Sequence, residues 1–393
     1  MNFRSAGEGP ALSAFSGLLA VHAHPDDETL STGGLLAAFA AAGRPVHVVT
    51  CTRGERGEVI ALPGTTSEGR AGLEGDGPAL GAYRETELAR ALTALADGVD
   101  GAIGHSFLDA LPGVYAQVNR VVDAGPGAPV GPGPGVVSGS VDGVRYEDSG
   151  MTWVAPGVAG PAPDSPSTAF ARVPLDESAG RLAALIRECR PAVVATYEPG
   201  GGYGHPDHVR AHEMTVRALR LAADPTWEPG SGAGDQEGGV GRRGVPWAGA
   251  VQWQAVAPAA EVRAARATLA ALPEAVARAN AHALALPDPA EDLPPFAKED
   301  LSERSAERQV VGSSDYRSPD GLPITRIGSV ARVDVRGLVG WVVAAMRAHA
   351  TQVQHADALP EAVGPVAGWY ALSNGVLAPI LTTETYAVAD PLR

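Results

Sequence analysis

Short apolar segments alternate with segments of helical periodicity through the first half of the sequence. The apolar segments are GLLAVHA (17–23), PVHVVTCT (45–52), AIGHSFL (102–108) and AVVATY (192–197). The helical segments cover residues 25–43, 82–97 and 206–222, and one more, ESAGRLAALIRECR, stops before Pro191. Strands separated by helices of this length form βαβ units, in which the strands are parallel. The pattern therefore predicts an α/β fold with a mainly parallel sheet covered by helices on both faces.

Two segments rich in glycine and proline interrupt this pattern, at residues 124–143 and 229–245. Such compositions bury too little apolar surface to form a core, so we expect mobile loops inserted into a larger unit. Beyond residue 250, further strands and helices are predicted by AVQWQAVA, a helical segment over 259–284, SVARVDV and a helical segment over 337–354. The expected units are a core over residues 1–228, a flexible insertion over 229–249 and a C-terminal extension over 250–393 that packs on the core.

Composition excludes several classes of partner. The chain has 393 residues, 45% of them hydrophobic, and a formal net charge of −15. Nucleic acids and anionic membranes select basic patches, so neither is expected to bind. No segment reaches the roughly 18 uninterrupted apolar residues of a membrane span. Cys51 and Cys189 form no C-x-x-C pair, which argues against a disulfide framework and a cysteine zinc site. We expect a cytoplasmic protein acting on a neutral or cationic small molecule, with a homo-oligomer left open.

The segment AHPDDE (23–28) places three consecutive acids directly after an apolar strand. Repulsion and burial both penalise adjacent carboxylates there, so a compensating charge is expected. Proline is favoured at the first position of a helix, which predicts His24 at the N-cap, Asp26 at N2 and Asp27 at N3. N-cap and N3 side chains approach each other in a capping box. We therefore expect His24 and Asp27 to lie close enough to bind one ion, while Asp26 points elsewhere from the same turn.

The same order of residues recurs after the strand AVVATY, in YEPGGGYGHPDH (197–208). It predicts His205 at the N-cap and His208 at N3 of a second helix. Ligands of open α/β sheets bind beyond the carboxyl ends of the strands, so the two turns can converge across one crevice. His24, Asp27 and His208 would then supply two imidazoles and one carboxylate. This set suits one Zn²⁺ per subunit and leaves a fourth position for water, although iron(II) accepts the same ligands.

The remaining side chains of these turns have the properties that metal-assisted amide hydrolysis requires. Zinc lowers the pKa of a bound water to about 7, and Asp26 would take its proton as general base. His205 would give a proton to the leaving amine, and Tyr203 would donate a hydrogen bond to the tetrahedral oxyanion. Asp207 would orient His205 or His208. A single His-Pro-Asp is usually an ordinary helix start, but its recurrence after two buried strands favours the functional interpretation.

The pair AHPDDE (23–28) and GHPDH (204–208) resembles the zinc-dependent N-acetylglucosaminyl deacetylases related to the phosphatidylinositol-glycan enzyme. Within that superfamily, the sequence is similar to the deacetylases of mycothiol biosynthesis. The similar segments are VHVVTCTRGERGEVI (46–60), YRETEL (83–88), YEDSGM (146–151), YEPGGGYGHPDHVRAH (197–212) and HATQV (349–353). The resemblance covers most of residues 17–222 and segments near the C-terminus, and the combination is far more specific than any one motif.

The resemblance implies a Rossmann-like α/β fold and a reaction that removes acetate from N-acetylglucosaminyl-inositol to leave a free amine. It also implies that His24, Asp27 and His208 hold the metal, that Asp26 is the base, and that His205 and Tyr203 act as the acid and the oxyanion donor. Arg84 and Asp148 would hold sugar or inositol hydroxyls, and their chemistry suits a polyol independently of kinship. Gly200 stands where the family usually has asparagine.

Two other interpretations remain open at this point. The amidase that cleaves mycothiol S-conjugates shares the catalytic groups, but it typically carries a lysine in the turn where this chain has Thr29, Leu30 and Ser31. The deacetylase is therefore favoured. A sugar-binding relative without activity is less favoured, because binding alone requires neither Asp26 nor His205.

Overall fold

The computed structural model of the chain describes residues 17–111, 145–155, 157–229, 245–299, 301, 316–317, 322–327 and 329–389. The predicted insertion at 124–143 lies outside these ranges, as do residues 230–244 of the second insertion. Residue 229 and residues 245–249, at the two ends of that second insertion, belong to neither a helix nor a strand.

Adjacent parallel strands form one half of the main sheet. In chain order they are β1 (Leu18–His22), β2 (Val46–Thr50), β3 (Ile103–Phe107), β6 (Val193–Tyr197) and β7 (Val251–Pro258). A hairpin of β4 (Met151–Ala155) and β5 (Val158–Pro161) stands apart from this sheet. The spatial order is β3-β2-β1-β6-β7, so the direction of strand addition reverses between β1 and β6. This is the arrangement of a Rossmann-like sheet, and it confirms the predicted mainly parallel α/β fold.

Helices cover both faces of the parallel strands. They are α1 (Asp27–Ala41), α2 (Gly77–Leu95), α3 (Leu175–Cys189), the single turn α4 (Gly201–Gly204) and α5 (Pro206–Ala223). Strand β1 contributes Leu18 and Ala20 to the core beneath α1 and α2, and Leu19 and Val21 to the core beneath α3 and α5. Burial on both faces explains why the strand reads as a continuous apolar run. Truncating Leu19 to alanine would cost about 2–5 kcal/mol.

The C-terminal part of the chain continues the same sheet with antiparallel strands. Beyond β7 the order is β15 (Thr383–Ala389), β11 (Val330–Asp334), β10 (Ile324–Ile327) and β9 (Tyr316–Arg317), while β8 (Ala297–Lys298) pairs with the end of β7. The rings of Trp253 on β7 and Tyr386 on β15 lie 5.4 Å apart in the shared core. Strand β7, assigned to the extension by the sequence, is therefore an interior strand of the main sheet.

The predicted helix over 259–284 is two helices in the structure, α6 (Ala259–Ala271) and α7 (Pro273–His282). Proline at 273 disfavours helical conformation at Leu272 and opens the next helix at its own position. The other predicted helix is α8 (Val339–Ala348). A small sheet of β12 (Gln354–Val363), β13 (Val366–Ala371) and β14 (Leu377–Leu381) packs against α6 around Leu269, Trp369 and Leu377.

Within the described ranges, none of the helices has the length and apolar character needed to cross a bilayer. Neither cysteine forms a disulfide: Cys51 is buried and Cys189 is exposed.

Candidate active site

The two His-Pro-Asp turns meet where the strand order reverses. His24 and Asp27 follow β1, His205 and His208 follow β6, and these two strands are parallel neighbours. The ring of His24 lies 4.6 Å from that of His205 and 5.3 Å from that of His208, measured between centroids. The structure thus brings together the side chains that the sequence placed on two separate turns, in the crevice that such a sheet offers to ligands.

The first turn differs in detail from the prediction. Helix α1 begins at Asp27, and its N-cap is Asp26 rather than His24. Asp26 has φ 111°, which a helix cannot continue, so Pro25 and Asp26 form a separate turn. The predicted contact nevertheless forms. Asp27 Oδ2 accepts the backbone N–H of His24 at 2.9 Å and lies 3.2 Å from His24 Nδ1.

The second turn follows the prediction. His205 is the N-cap of α5, its Nδ1 accepts the backbone N–H of Asp207 at 3.2 Å, and Pro206 is the first helical residue. The helix start is therefore satisfied by a side chain of the turn itself.

Three atoms of the expected metal ligands form a nearly equilateral triangle. Asp27 Oδ2 lies 3.2 Å from His24 Nδ1 and 3.3 Å from His208 Nε2, and the two nitrogens are 3.3 Å apart. Zinc–ligand distances of about 2.0–2.1 Å in a tetrahedron place neighbouring ligand atoms about 3.3 Å from each other. All three side chains are buried. The donor set therefore fits three corners of a tetrahedral site.

Hydrogen bonds on the outer side of each imidazole support the same interpretation. His208 Nδ1 lies 3.1 Å from the carbonyl oxygen of Gly201, so this nitrogen carries the proton and Nε2 presents a lone pair to the triangle. His24 Nε2 lies 3.3 Å from Asp207 Oδ2, which leaves Nδ1 as its lone-pair atom. Such outer partners fix the tautomer of metal-binding histidines.

The sequence expected Asp207 to orient His205 or His208, whereas the structure pairs it with His24. Asp207 Oδ2 accepts the backbone N–H of Ser149 at 2.8 Å, and Oδ1 accepts the Ser149 hydroxyl. The side chain of Asp207 is wholly buried, so these donors compensate its carboxylate. The second turn therefore orients a ligand of the first turn, which local sequence spacing could not indicate.

A wider group of potential ligands also lies within 4.8 Å, namely His24, Asp148, His205 and Asp207. Both carboxylates of this group are already bound by the chain itself. Asp207 is held by Ser149, and Asp148 accepts the backbone N–H groups of Gly150 at 2.8 Å and of Arg56 at 3.3 Å. The smaller triangle, whose sides match the ligand spacing of a tetrahedral zinc site, is the better candidate for an ion.

Arg84 contacts the first turn rather than open space. Its guanidinium donates to the carbonyl oxygens of Pro25 and of Gly54, and Nη2 lies 3.3 Å from Asp26 Oδ1. The residue is only 3% exposed. The sequence assigned Arg84 to substrate hydroxyls, but in the structure it holds the turn that carries Asp26.

Burial raises the pKa of Asp26 to about 6, and the positive charge of Arg84 opposes this rise. Burial likewise holds the pKa of Tyr203 well above its ordinary value, so its phenol keeps the proton. Burial, and after it the neighbouring His24 and His208, hold the pKa of His205 well below its ordinary value. At neutral pH the site therefore contains a carboxylate, a phenol and a neutral imidazole.

Asp148 borders a cleft of about 940 Å³ beside the two turns, whose other walls include Glu55, Glu85 and Arg145. Its Oδ1 lies 3.7 Å from His24 Nε2. Of the two residues expected to bind substrate, Asp148 is thus the one that lines this cleft.

The loop that carries Tyr203 is held by Glu198. The carboxylate of Glu198 accepts the backbone N–H groups of Gly200 at 2.8 Å and of Gly202 at 3.1 Å, and it pairs with Lys298 Nζ at 3.0 Å. A Cβ added at Gly200 would lie 2.8 Å from Glu198 Oε1. The Tyr203 ring lies 5.1 Å from that of His208, between centroids. The carboxylate of Glu198 thus fixes the loop at Gly200, where the family usually has asparagine.

Several residues of this site were not assigned from the sequence. The Tyr197 ring stacks on that of His208 at 4.2 Å, and its hydroxyl accepts the backbone N–H of Ala23 at 2.9 Å. Glu28 pairs with His349 at 2.7 Å. Tyr197 is the last residue of the predicted strand AVVATY, and His349 is the first residue of HATQV, one of the segments that carry the resemblance. Neither observation indicated a role for these two residues.

A known protein family matches the part of the chain that carries the two turns. The family PIG-L, described as GlcNAc-PI de-N-acetylase, matches residues 19–219, which include both turns. A Kineococcus radiotolerans protein named 1D-myo-inositol 2-acetamido-2-deoxy-alpha-D-glucopyranoside deacetylase is 37% identical over 371 residues, covering 94% of this chain and 76% of that protein. The chain belongs to the PIG-L family.

Similarity to these PIG-L relatives extends beyond the family match. A protein of the same name from Streptomyces avermitilis is 36% identical over 373 residues, covering 94% of this chain and 90% of that protein. The family match ends at residue 219, and the match to these relatives also includes most of the C-terminal part.

Solved structures with some likeness include two deacetylases. The N,N'-diacetylchitobiose deacetylase from Pyrococcus horikoshii is 18% identical with a TM-score of 0.31, covering 54% of this chain and 52% of that chain. A deacetylase of the teicoplanin pathway is 19% identical with a TM-score of 0.36, covering 85% of this chain and 84% of that chain.

Proposed function

We propose that this protein hydrolyses the N-acetyl group of N-acetylglucosaminyl-inositol, giving glucosaminyl-inositol and acetate, as a zinc-dependent deacetylase of mycothiol biosynthesis. The observation that carries the proposal is the triangle of His24 Nδ1, Asp27 Oδ2 and His208 Nε2, with sides of 3.2–3.3 Å. The names of the relatives that match 94% of the chain support the choice of substrate. The cytoplasmic location and any homo-oligomer stay predictions from the sequence.

His24, Asp27 and His208 would hold the zinc ion. When bound, zinc would polarise the amide carbonyl and lower the pKa of a water molecule. The carboxylate of Asp27 balances part of the cationic charge, and the outer hydrogen bonds of the two imidazoles keep their lone pairs directed at the triangle.

Asp26 is the base of the proposed reaction. It is adjacent to Asp27 but takes no part in the triangle, so its carboxylate remains available to accept a proton from the attacking water. With a pKa raised to about 6, the group is ionised at neutral pH yet basic enough to act there. Its ion pair with Arg84 restricts the direction in which the carboxylate points.

His205 and Tyr203 would act on the other side of the amide. Because His205 Nδ1 accepts the N–H of Asp207, the neutral ring carries its proton on Nε2 and presents it as a donor. Net protonation of the leaving amine would use the proton that Asp26 removes from water, while the Nε2–H of His205 hydrogen-bonds the amine nitrogen as it departs. Tyr203, whose phenol stays protonated, would donate to the oxyanion.

The cleft beside the site suits a polyol that becomes a cation. Its walls include Asp148 together with Glu55 and Glu85, whose carboxylates accept hydrogen bonds from hydroxyl groups. The product gains an ammonium group, which a region with an excess of carboxylates favours. Asp148 is the side chain we assign to a sugar or inositol hydroxyl, while Arg84 would act through the first turn.

A paired assay tests the proposal. Protein loaded with zinc is expected to release acetate from N-acetylglucosaminyl-inositol, and removal of the ion by a chelator is expected to abolish the release. A mycothiol S-conjugate, assayed beside it, distinguishes the amidase. Cleavage of the conjugate without release of acetate would show that the proposed substrate is wrong, and metal analysis of the same samples would show whether one ion is bound per chain.

A further inference from the structure

The backbone of Asp26 occupies a conformation that side-chain-bearing residues seldom adopt, with φ 111° and ψ −32°. Positive φ is uncommon outside glycine because Cβ crowds the backbone. Such a conformation persists only where the surrounding structure over-determines it, and it is found mainly at functional sites. Because Asp26 is the base of the proposed reaction, the contacts that hold this conformation also set the direction of its carboxylate.

Two charged side chains hold the turn. From one side, the guanidinium of Arg84 contacts the carbonyl oxygen of Pro25 and the carboxylate of Asp26. From the other side, Glu28 Oε2 accepts the backbone N–H of Asp26 at 2.9 Å. Glu28 is wholly buried, so its position depends on the partners of its other oxygen.

One of those partners is the next residue, and the other lies in a distant part of the chain. Glu28 Oε1 accepts the Thr29 hydroxyl at 2.6 Å and lies 2.7 Å from His349 Nε2. His349 follows α8 in the C-terminal part, 321 residues from Glu28, and is wholly buried. Within the described part of the chain, its Nδ1 has no hydrogen-bond partner. The contact with Glu28 is therefore the polar interaction that orients this imidazole.

We propose that His349 is a positioning residue for deacetylation: it fixes Glu28, which in turn holds the N–H of Asp26 and so aims the carboxylate at the attacking water. This inference rests on the proposed function. His349 does not line the cleft, and its hydrogen bond reaches the first turn through Glu28. A hydrogen bond between two buried groups of which one is a carboxylate is strong and directional.

Through His349, the C-terminal part would contribute to the reaction. Catalytic geometry must be kept within about 0.5 Å, which requires side chains locked by their own hydrogen bonds. The first turn lies between β1 and α1, but His349, which fixes Glu28, lies after α8. The residues matched by the family end at 219, so the lock lies outside that match.

The test compares three variants of the zinc-loaded chain of 393 residues. His349→Ala removes the donor, His349→Gln keeps an N–H that can reach Glu28, and Thr351→Val is the matched control. Thr351 lies two residues further along the same segment and bonds another buried glutamate, Glu87, at 2.9 Å through its backbone N–H and also through its hydroxyl. Glu87 makes no hydrogen bond to the first turn. Measurements are kcat, KM, zinc content and hydrogen exchange of the Asp26 amide.

For His349→Ala we expect kcat to fall about 10- to 100-fold, with KM and zinc content unchanged and faster exchange at Asp26. His349→Gln should recover part of kcat, and Thr351→Val should lower stability without changing kcat. A folded His349→Ala protein with wild-type kcat overturns the inference, as does an equal loss in the Thr351→Val control. Absence of deacetylase activity in the wild-type protein would instead overturn the proposed function.

If His349→Ala does not fold, Glu28→Asp decides the question. It keeps a carboxylate opposite His349 but is too short to reach both His349 and the N–H of Asp26. We expect at least a tenfold loss of kcat with zinc retained. Wild-type kcat in this variant would contradict the inference.

Discussion

The turn at residues 24–27 and the turn at residues 205–208 share the order His-Pro-Asp, yet their backbones differ. In the second turn, His205 caps α5 with its own Nδ1 and Pro206 opens the helix. In the first turn, no side chain caps α1, and Asp26 stands before it at φ 111°. The second turn is thus satisfied by its own residues, while the first depends on Arg84, Glu28 and, through Glu28, on His349.

This difference follows from the chemistry that each turn would perform. A turn that places its imidazoles at the N-cap and three residues later can adopt an ordinary helix start, because side chains at these two positions already lie close together. A turn that places a ligand and a base on adjacent residues must send two carboxylates in different directions. A local break in the backbone between Asp26 and Asp27 achieves this, at a conformational cost that distant side chains compensate.

The largest expected effect tests whether the turns share one ion. His24→Ala in the first turn and His208→Ala in the second should each remove the whole ion and lower turnover about 10³-fold or more, because metal polarisation contributes several kcal/mol. Zinc analysis of each purified variant checks this. If either variant still bound one zinc ion tightly, the two turns would not share a metal site.

The next effect compares the aspartate that follows proline in each turn. Asp26→Asn should keep zinc and lower kcat about 10²- to 10⁴-fold, since it removes a general base. Asp207→Asn should lower metal affinity or activity only about 10- to 100-fold, because Asp207 acts through the His24 ring. Steady-state kinetics with metal titration separate the two. Equal losses in both variants would show that the two aspartates have equivalent roles.

A smaller effect concerns the backbone itself. At position 26, glycine should be more stable than alanine by about 1–2 kcal/mol, because only glycine relieves the positive φ. At position 207, in the first turn of α5, alanine should be more stable than glycine by about 0.5–1 kcal/mol. Denaturant unfolding of the Asp26→Gly, Asp26→Ala, Asp207→Gly and Asp207→Ala variants measures both differences. If glycine were more stable than alanine at both positions, or less stable at both, the two turns would not differ in backbone conformation.

The smallest effect tests how little the second turn needs from the C-terminal part. Lys298 pairs with Glu198, but its side chain is 38% exposed, and such pairs contribute about 0–1 kcal/mol. Lys298→Ala should therefore change the free energy of unfolding by less than about 1 kcal/mol and leave kcat within about twofold. Thermal unfolding and steady-state kinetics check this. A tenfold loss of kcat would show that the second turn, like the first, depends on contacts with the C-terminal part.

Local patterns predicted much of this molecule. The alternation of apolar and helical segments predicted the parallel strands and the helices on both faces, and Pro206 predicted the start of α5. The same local patterns misplaced the start of α1 and predicted α6 and α7 as one helix. The pairing of Asp207 with His24 was also missed, because the two residues are 183 positions apart and their contact depends on the order of β1 and β6.

The sequence by itself determined that imidazoles and carboxylates follow two apolar strands, in two His-Pro-Asp segments. Only the tertiary structure decided how those residues are held. The triangle of ligand atoms, the bond from Asp207 to His24 and the contact of His349 with Glu28 each join segments far apart in the chain. Such contacts depend on how the sheet is ordered and packed, which periodicity and local propensity do not encode.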